Sequence, residues 1–199
     1  MTEIDRILDF WFGPLPREDF YPVDRAAKWF TKNPAFDAEI KEKFEDDVFL
    51  AGRGSFDGWA AFPRGRLALL ILLDQFPRNI YRNTPKSFSF DKKALGFALR
   101  GIEMEHDKAL PWACRPFCYL PLQHSEDAGI QKRSIAVHEQ FAKDAPASFQ
   151  LVAQEVLRFA KLHAEIVLRF GRFPHRNEIL GRKSTPEEIE FLKQPGSSF

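Results

Sequence analysis

Residues 67–79 read LALLILLDQFPRN and contain the longest uninterrupted apolar run of the chain. The seven positions from 67 to 73 are all apolar, so a helix formed by them has no polar face to turn toward water. A helix of that kind is stable only when other elements cover it on every side. We therefore predict a central, buried helix around which the rest of the chain packs.

The remainder of the chain repeats apolar residues at the three- and four-residue spacing of amphipathic helices. The longest helix is predicted from about residue 147 to 170, where Gly171 can adopt the left-handed conformation that ends a helix. Helix starts are marked by side chains that can cap exposed amide groups. We predict such starts at Thr2, Asn33, Asp91, Asp127 and Thr185.

Only residues 87–90 (SFSF) alternate like a strand, and four residues do not make a sheet. No 34-residue repeat of the tetratricopeptide type is visible in the sequence. The connecting loops are short, and none is long enough to separate two domains. We therefore predict an all-α fold of about eight to ten helices, forming one domain over residues 1–199.

The composition is that of an ordinary globular protein: 199 residues, 44% hydrophobic, with 29 basic and 28 acidic side chains. A net charge of +1 argues against nucleic-acid binding through the overall field, and no stretch resembles a signal peptide or a membrane span. We expect a soluble, cytoplasmic protein that does not associate with membranes. The 21 phenylalanines outnumber the 3 tyrosines and 4 tryptophans, so most aromatic rings are expected in the core.

Two cysteines, Cys114 and Cys118, are too few for a disulfide framework or a four-cysteine zinc site, and their spacing favours two small core residues on one helix face. The sequence has no glycine-rich phosphate loop, no nucleophile elbow and no metalloprotease motif. The histidines and acids match no familiar metal-ligand spacing. We therefore expect neither a metal nor a cofactor.

Polar residues interrupt two of the predicted helical segments. Asp74 follows the apolar run directly and has Arg78 one turn further on as a local ion-pair partner, while Pro77 is expected to end the helix. His163 lies in the middle of the apolar stripe of the long helix, which also includes Phe159. It is either a core histidine satisfied by a carbonyl or carboxylate, or a site residue.

Two further segments carry clusters of polar side chains. His124 and Glu126 stand at a helix junction beside Ser125 and Asp127, either of which can simply cap the next helix. Residues 169–177 (RFGRFPHRN) place three arginines and a histidine between two helices, where guanidinium groups and free amides favour an anion. This segment echoes residues 76–79 (FPRN): in both, an Arg-Asn pair follows a Phe-Pro break, although Phe-Pro can also serve only to terminate a helix.

Several stretches follow a known pattern: residues 8–13 (LDFWFG), 29–30 (WF), 72–79 (LLDQFPRN), 124–126 (HSE), 169–177 and 180–182 (LGR). Through them the chain resembles the domain of unknown function 924 family, which is mainly bacterial and uncharacterised. The resemblance implies an all-helical, tetratricopeptide-like, right-handed superhelix. It implies no established activity and no assigned site residues.

The leading functional hypothesis is a binding module whose polar pocket holds a small molecule or acidic peptide through a carboxylate or phosphate. The alternative is an enzyme in which Glu126, with His124 or His163, performs general acid/base chemistry on that anion. Nucleic-acid binding by the basic residues 158–183 is the least favoured hypothesis. Phe76 and Phe173 are expected to form walls of the site. The predicted ligand-binding residues are Asp74, Arg78, Asn79, His124, Glu126, His163, Arg172, His175, Arg176 and Asn177.

Overall fold

The computed structural model describes residues 1–198, and every regular element in that range is helical, which confirms the all-α prediction. The tetratricopeptide-like superhelix and the single-domain organisation stay predictions. Short 3-10 turns connect several of the helices. The ten α-helices of the described range are α1 (Glu3–Phe12), α2 (Val23–Trp29), α3 (Pro34–Gly52), α4 (Pro63–Leu70), α5 (Phe76–Ile80), α6 (Asp91–Glu103), α7 (Arg115–Gln123), α8 (Ala128–Asp144), α9 (Gln150–Phe170) and α10 (Pro186–Leu192).

Four of the five predicted caps form as expected. Thr2 and Thr185 each make a complete capping box, and the side chains of Asn33 and Asp127 accept amide hydrogen bonds at the starts of α3 and α8. Asp91 does not cap α6, because it is already the first residue of that helix and its carboxylate binds Arg78 instead. The strand-like alternation of residues 87–90 is not reflected in the structure either, because the chain makes a 3-10 turn over Pro85–Phe88.

The central helix is present and buried on every side, since each residue from 67 to 73 is at most 1% exposed. It does not end at Pro77. A π-helical turn, Ile71–Gln75, joins α4 to α5, and the amide of Phe76 donates to the carbonyl of Ile71, five residues earlier. Because Pro77 falls in the first turn of α5, its missing N–H is not needed there. Within residues 1–198 no helix has both the length and the apolar character needed to cross a membrane.

Phe76 belongs to the aromatic core and not to a site wall. Its ring centroid lies 4.8 Å from that of Phe44 and 5.6 Å from that of Trp11, and the residue is fully buried. The expected wall position assumed a helix break at Pro77. Because the helix continues, Phe76 stays on the side that faces α1 and α3.

The long helix α9 packs along α8, and Gly171 ends it with φ of 70° as predicted. Its most buried positions are Ala153, Ala160 and Ala164. Phe159, expected in the apolar stripe, is 39% exposed, because the stripe of close helix contact is made by small residues. Cys114 and Cys118 are buried free thiols, in agreement with their predicted role in the core.

Gly65, near the start of α4, gives a first testable prediction. A Cβ atom at this position would meet the backbone carbonyl of Trp59 at less than van der Waals distance, and a backbone atom cannot turn aside. We expect Gly65→Ala to lower the free energy of unfolding by about 1–3 kcal/mol. Gly96→Ala is the matched control, because a Cβ there meets nothing and should stabilise α6 by about 0.5–1 kcal/mol. Urea unfolding of both variants tests this, and equal effects would contradict it.

Candidate functional site

Six elements of the chain converge beside the end of the central helix. Asp74 comes from the π turn and Arg78 from α5, while α6 begins with Asp91. His124 caps the end of α7, His163 lies on α9, and a 3-10 turn, Pro174–Arg176, supplies two more residues. We call this group the polar cluster. Its members are Asp74, Arg78, Asp91, His124, His163, His175 and Arg176.

Asp74 is 1% exposed and forms the inner end of the polar cluster. Its Oδ1 atom lies 2.7 Å from Nδ1 of His124 and 3.3 Å from Nη1 of Arg78, and its Oδ2 atom accepts from Gln75 at 2.5 Å. Burial raises the pKa of Asp74, but the charge of Arg78 and the bonds from His124 and Gln75 outweigh burial and bring the pKa to about 2. The carboxylate is therefore ionised, and His124 donates to it through Nδ1.

Arg78 pairs with Asp74 as the sequence predicted, and it also makes a contact that the sequence did not suggest. Its Nη1 and Nη2 atoms bind the two carboxylate oxygens of Asp91 at 2.9 Å and 3.0 Å. Asp91 had been assigned to helix capping. One general rule could have indicated this pair: a largely buried arginine needs a carboxylate that accepts hydrogen bonds from two of its nitrogens.

Arg176 is 7% exposed, yet it lacks such a bidentate carboxylate. Its Nη1 atom donates to the carbonyl of His124 at 3.0 Å and lies 3.7 Å from Oδ2 of Asp91. The guanidinium rests against the rings of Phe88 and Phe173, at 4.7 Å and 4.5 Å from their centroids. Burial and the nearby Arg78 lower the pKa of Arg176 to about 10, so it remains charged at neutral pH.

The three histidines of the polar cluster are neutral at neutral pH. Burial is the main cause: it lowers the pKa of His163 to about 3 and that of His175 to about 4, and it also lowers the pKa of His124. His163 donates from Nδ1 to the carbonyl of Phe159 at 2.8 Å, as a core histidine does. The ring of Phe173 packs against both His163 and His175 and so lies beside the polar cluster, while its role as a wall of the site stays a prediction.

Glu126 holds the turn that carries His175 and Arg176. It accepts from the amide of Phe173 at 2.8 Å and pairs with both Nη atoms of Arg182, at 2.6 Å and 2.9 Å. The carboxylate partner of His124 is therefore Asp74, where the enzyme hypothesis assigned Glu126. Arg182 was absent from the predicted site, although it lies in the LGR stretch that contributed to the family resemblance.

Besides Glu126, three predicted site residues do not join the polar cluster. Asn79 donates to Asp37 of α3 at 2.8 Å. Arg172 binds Glu188 of α10 through two hydrogen bonds of 2.7 Å and 2.8 Å, and Asn177 donates to the same carboxylate at 3.3 Å. The two Arg-Asn pairs are therefore alike in part only. Both arginines approach Asp91, whereas the two asparagines bind different carboxylates.

Unsatisfied polar atoms concentrate in one short segment. Within residues 1–198, six buried side-chain nitrogen or oxygen atoms have no hydrogen-bond partner, and four of them lie between positions 175 and 182. Buried polar atoms are normally paired, so such a concentration calls for an explanation. Two of the four belong to His175 and Arg176, which are adjacent on the turn Pro174–Arg176. The four atoms are Nδ1 of His175, Nε of Arg176, Oδ1 of Asn177 and Nε of Arg182.

Neutral, buried histidines make the stability of the fold depend on pH. Besides His163 and His175, His138 has a pKa lowered to about 4, mainly by burial. In the unfolded chain each histidine binds a proton near pH 6.5. Stability is therefore complete above pH 6.5 and falls between about 6.5 and 4, by up to about 1.4 kcal/mol per pH unit for each histidine. Urea midpoints measured from pH 7.5 to 4.5 test this, and a flat profile would contradict it.

Three comparisons relate the chain to known proteins. A family model described as "Bacterial protein of unknown function (DUF924)" matches residues 7–196. The solved structure of a protein of unknown function, ATU0120 from Agrobacterium tumefaciens, is similar with a TM-score of 0.76 and 40% sequence identity, over 88% of this chain and 93% of that chain. No curated protein matches the chain. The match to the family model confirms the resemblance found in the sequence.

Proposed function

The chain belongs to the DUF924 family of bacterial proteins of unknown function, and from that premise we propose that it binds a small anion at the polar cluster. The ligand carries a carboxylate or phosphate group, either on a small molecule or on an acidic peptide. The observation that carries the proposal is that His175, Arg176 and Arg182 each have a buried side-chain nitrogen without a hydrogen-bond partner.

Arg176 is the best anchor for such an anion. A guanidinium donates through five N–H groups, and the structure uses few of those of Arg176: one bond to a carbonyl and a 3.7 Å approach to Asp91. Packing against Phe88 and Phe173 fixes the plane of the group before a ligand arrives, which reduces the entropy lost on binding. A carboxylate or phosphate matches the geometry of the remaining donors.

The acids around the polar cluster support an anionic ligand over a cationic one, because each is already held by an arginine. Asp74 and Asp91 bind Arg78, and Glu126 binds Arg182. The same pairing weakens the nucleic-acid hypothesis. Most basic side chains of residues 158–183 contact a carboxylate, as Arg158 does with Glu155, so this region offers little free positive charge.

Arg176→Met tests the proposal, since it removes the charge and keeps most of the side-chain volume. Sulfate, phosphate and succinate should each raise the melting temperature of the wild-type protein. The variant should bind them about tenfold or more weakly, because a hydrogen bond to a charged group contributes about 1.5–3 kcal/mol. Arg169→Met is the control: that arginine is exposed and pairs with Glu187 outside the polar cluster. No stabilisation by any of the three anions, or equal stabilisation of all three proteins, would overturn the proposal.

A second candidate function, an enzyme, is favoured by the pair formed by His124 and Asp74. A buried carboxylate 2.7 Å from Nδ1 fixes the tautomer of the imidazole and leaves Nε2 to exchange a proton with a bound molecule. The test is turnover of p-nitrophenyl phosphate and p-nitrophenyl acetate by the wild-type protein and by His124→Gln. Turnover that the substitution abolishes supports the enzyme, and equal rates in both proteins count against it.

A further inference from the structure

We infer that the anion site is coupled to protonation, with His175 taking up a proton when an anion binds beside Arg176. The inference rests on the anion binding proposed above and adds to it a dependence on pH. With the anion bound, the protonated imidazole of His175 is a second cation next to Arg176; without the anion the imidazole is neutral.

The position of His175 carries this inference. It precedes Arg176 on the turn Pro174–Arg176, its ring centroid lies 5.6 Å from that of Phe173, and its buried Nδ1 atom has no hydrogen-bond partner within residues 1–198. The other two imidazoles of the polar cluster have Nδ1 engaged, by Asp74 for His124 and by the carbonyl of Phe159 for His163. Among the three histidines of the polar cluster, His175 is thus the one whose Nδ1 has no partner in the described residues.

Burial, and after it the charges that face His175, keep this histidine neutral before an anion arrives. On its own turn lies Arg176, and the segment before α10 contributes Arg182. Glu126, after α7, is the one acid among these neighbours, and Arg182 already neutralises it. His124 at the end of α7 and His163 on α9 complete the surroundings and are both uncharged. Burial lowers the pKa of His175 most, and the net positive charge of two cations and one acid adds to it, so that the pKa is about 4.

An anion reverses that balance. One unit charge about 4 Å from the ring, at the effective dielectric of a protein, raises a histidine pKa by about three. The pKa of His175 would then move from about 4 to near 7. Binding at pH 6 should therefore take up close to one proton, whereas binding at pH 7.5 should take up much less. The affinity should accordingly be about five- to tenfold higher at pH 6 than at pH 7.5.

Sulfate is the suitable probe, because it keeps its two charges across this pH range and any bound proton must come to the protein. Calorimetric titration at pH 6.0 in Mes and in Bis-Tris, whose heats of ionisation differ, gives the number of protons taken up. The wild-type protein should take up about 0.5–1 proton per sulfate. His175→Gln should take up almost none and bind sulfate equally at both pH values. His106→Gln is the matched control, since that histidine contacts Arg66 away from the polar cluster, and it should behave as wild type.

The outcomes separate the two proposals. If sulfate, phosphate and succinate all fail to bind the wild-type protein, the proposed function is overturned and this inference with it. If sulfate binds without proton uptake, or if His175→Gln takes up as many protons as wild type, only this inference is overturned. Should His175→Gln not fold, the ¹⁵N signals of the imidazoles in the wild-type protein decide: sulfate at pH 6 must shift His175 toward the protonated form, and an unmoved signal overturns the inference.

Discussion

Replacing Asp74 with asparagine is expected to lower the free energy of unfolding by about 3–5 kcal/mol, one of the two largest effects that the structure predicts. The carboxylate is 1% exposed and is the shared partner of Arg78 and His124. An amide has almost the same shape but no charge, so Arg78 loses one of its two carboxylate partners, the one that is almost completely buried. Urea unfolding at pH 7 measures the loss.

Asp46→Asn is the matched control for this substitution, because Asp46 lies on the exposed face of α3 and the chemical change is identical. It should alter stability by no more than about 0.5 kcal/mol. The difference between wild type and Asp74→Asn should also shrink with acid: the folded pKa of Asp74 is about 2, so its contribution is complete above pH 4 and disappears as the pH falls through 2. An equally small loss of unfolding free energy in both variants would contradict the prediction, because it would mean that water solvates the ion pairs of Asp74.

The parts of the fold that the sequence predicted well depend on local rules. Residues 67–73 are apolar at every position, so a helix formed by them has no side that can face water and must be buried all round. The capping box at Thr185 needs only residues three positions apart, and it forms as expected. Gly171 likewise ends α9 through its own conformational freedom.

The errors arise where tertiary structure overrides a local rule. Pro77 was expected to end a helix, but the π turn before it changes the hydrogen-bond register so that the proline is accommodated. That register has no marker in the sequence, and the position of Phe76 was mispredicted as a consequence. Phe159 was placed in the core because it fits the apolar spacing, whereas the close approach of α8 and α9 selects alanines.

The polar cluster shows the same division between near and distant neighbours. The pairing of Asp74 with Arg78, four residues apart, was visible in the sequence. The pairing of Arg78 with Asp91 and that of Asn79 with Asp37 were not, because they depend on how α3, α5 and α6 are packed. Sequence reasoning therefore identified most side chains of the cluster but could not separate those that converge, such as His175, from those that anchor other elements.

The second large effect is expected for Phe76→Ala, which should lower the free energy of unfolding by about 3–5 kcal/mol. The ring of Phe76 is fully buried and packs on Phe44 and Trp11 from two other helices. Removing it leaves a cavity whose walls belong to α1, α3 and the central helix. Because those walls are held by many other contacts, they cannot collapse to fill the space. Urea unfolding monitored by circular dichroism measures the loss.

Phe62→Ala is an unusually close control for this prediction, since Phe62 also directly precedes a proline at the start of a helix. It is 67% exposed, so its removal should change stability by less than about 0.5 kcal/mol. The two phenylalanines share the same dipeptide and differ in what surrounds them. A large loss for Phe76 and a negligible one for Phe62 would show that the Phe-Pro sequence itself contributes little and that burial decides, whereas similar losses would mean that Phe76 is not in the core.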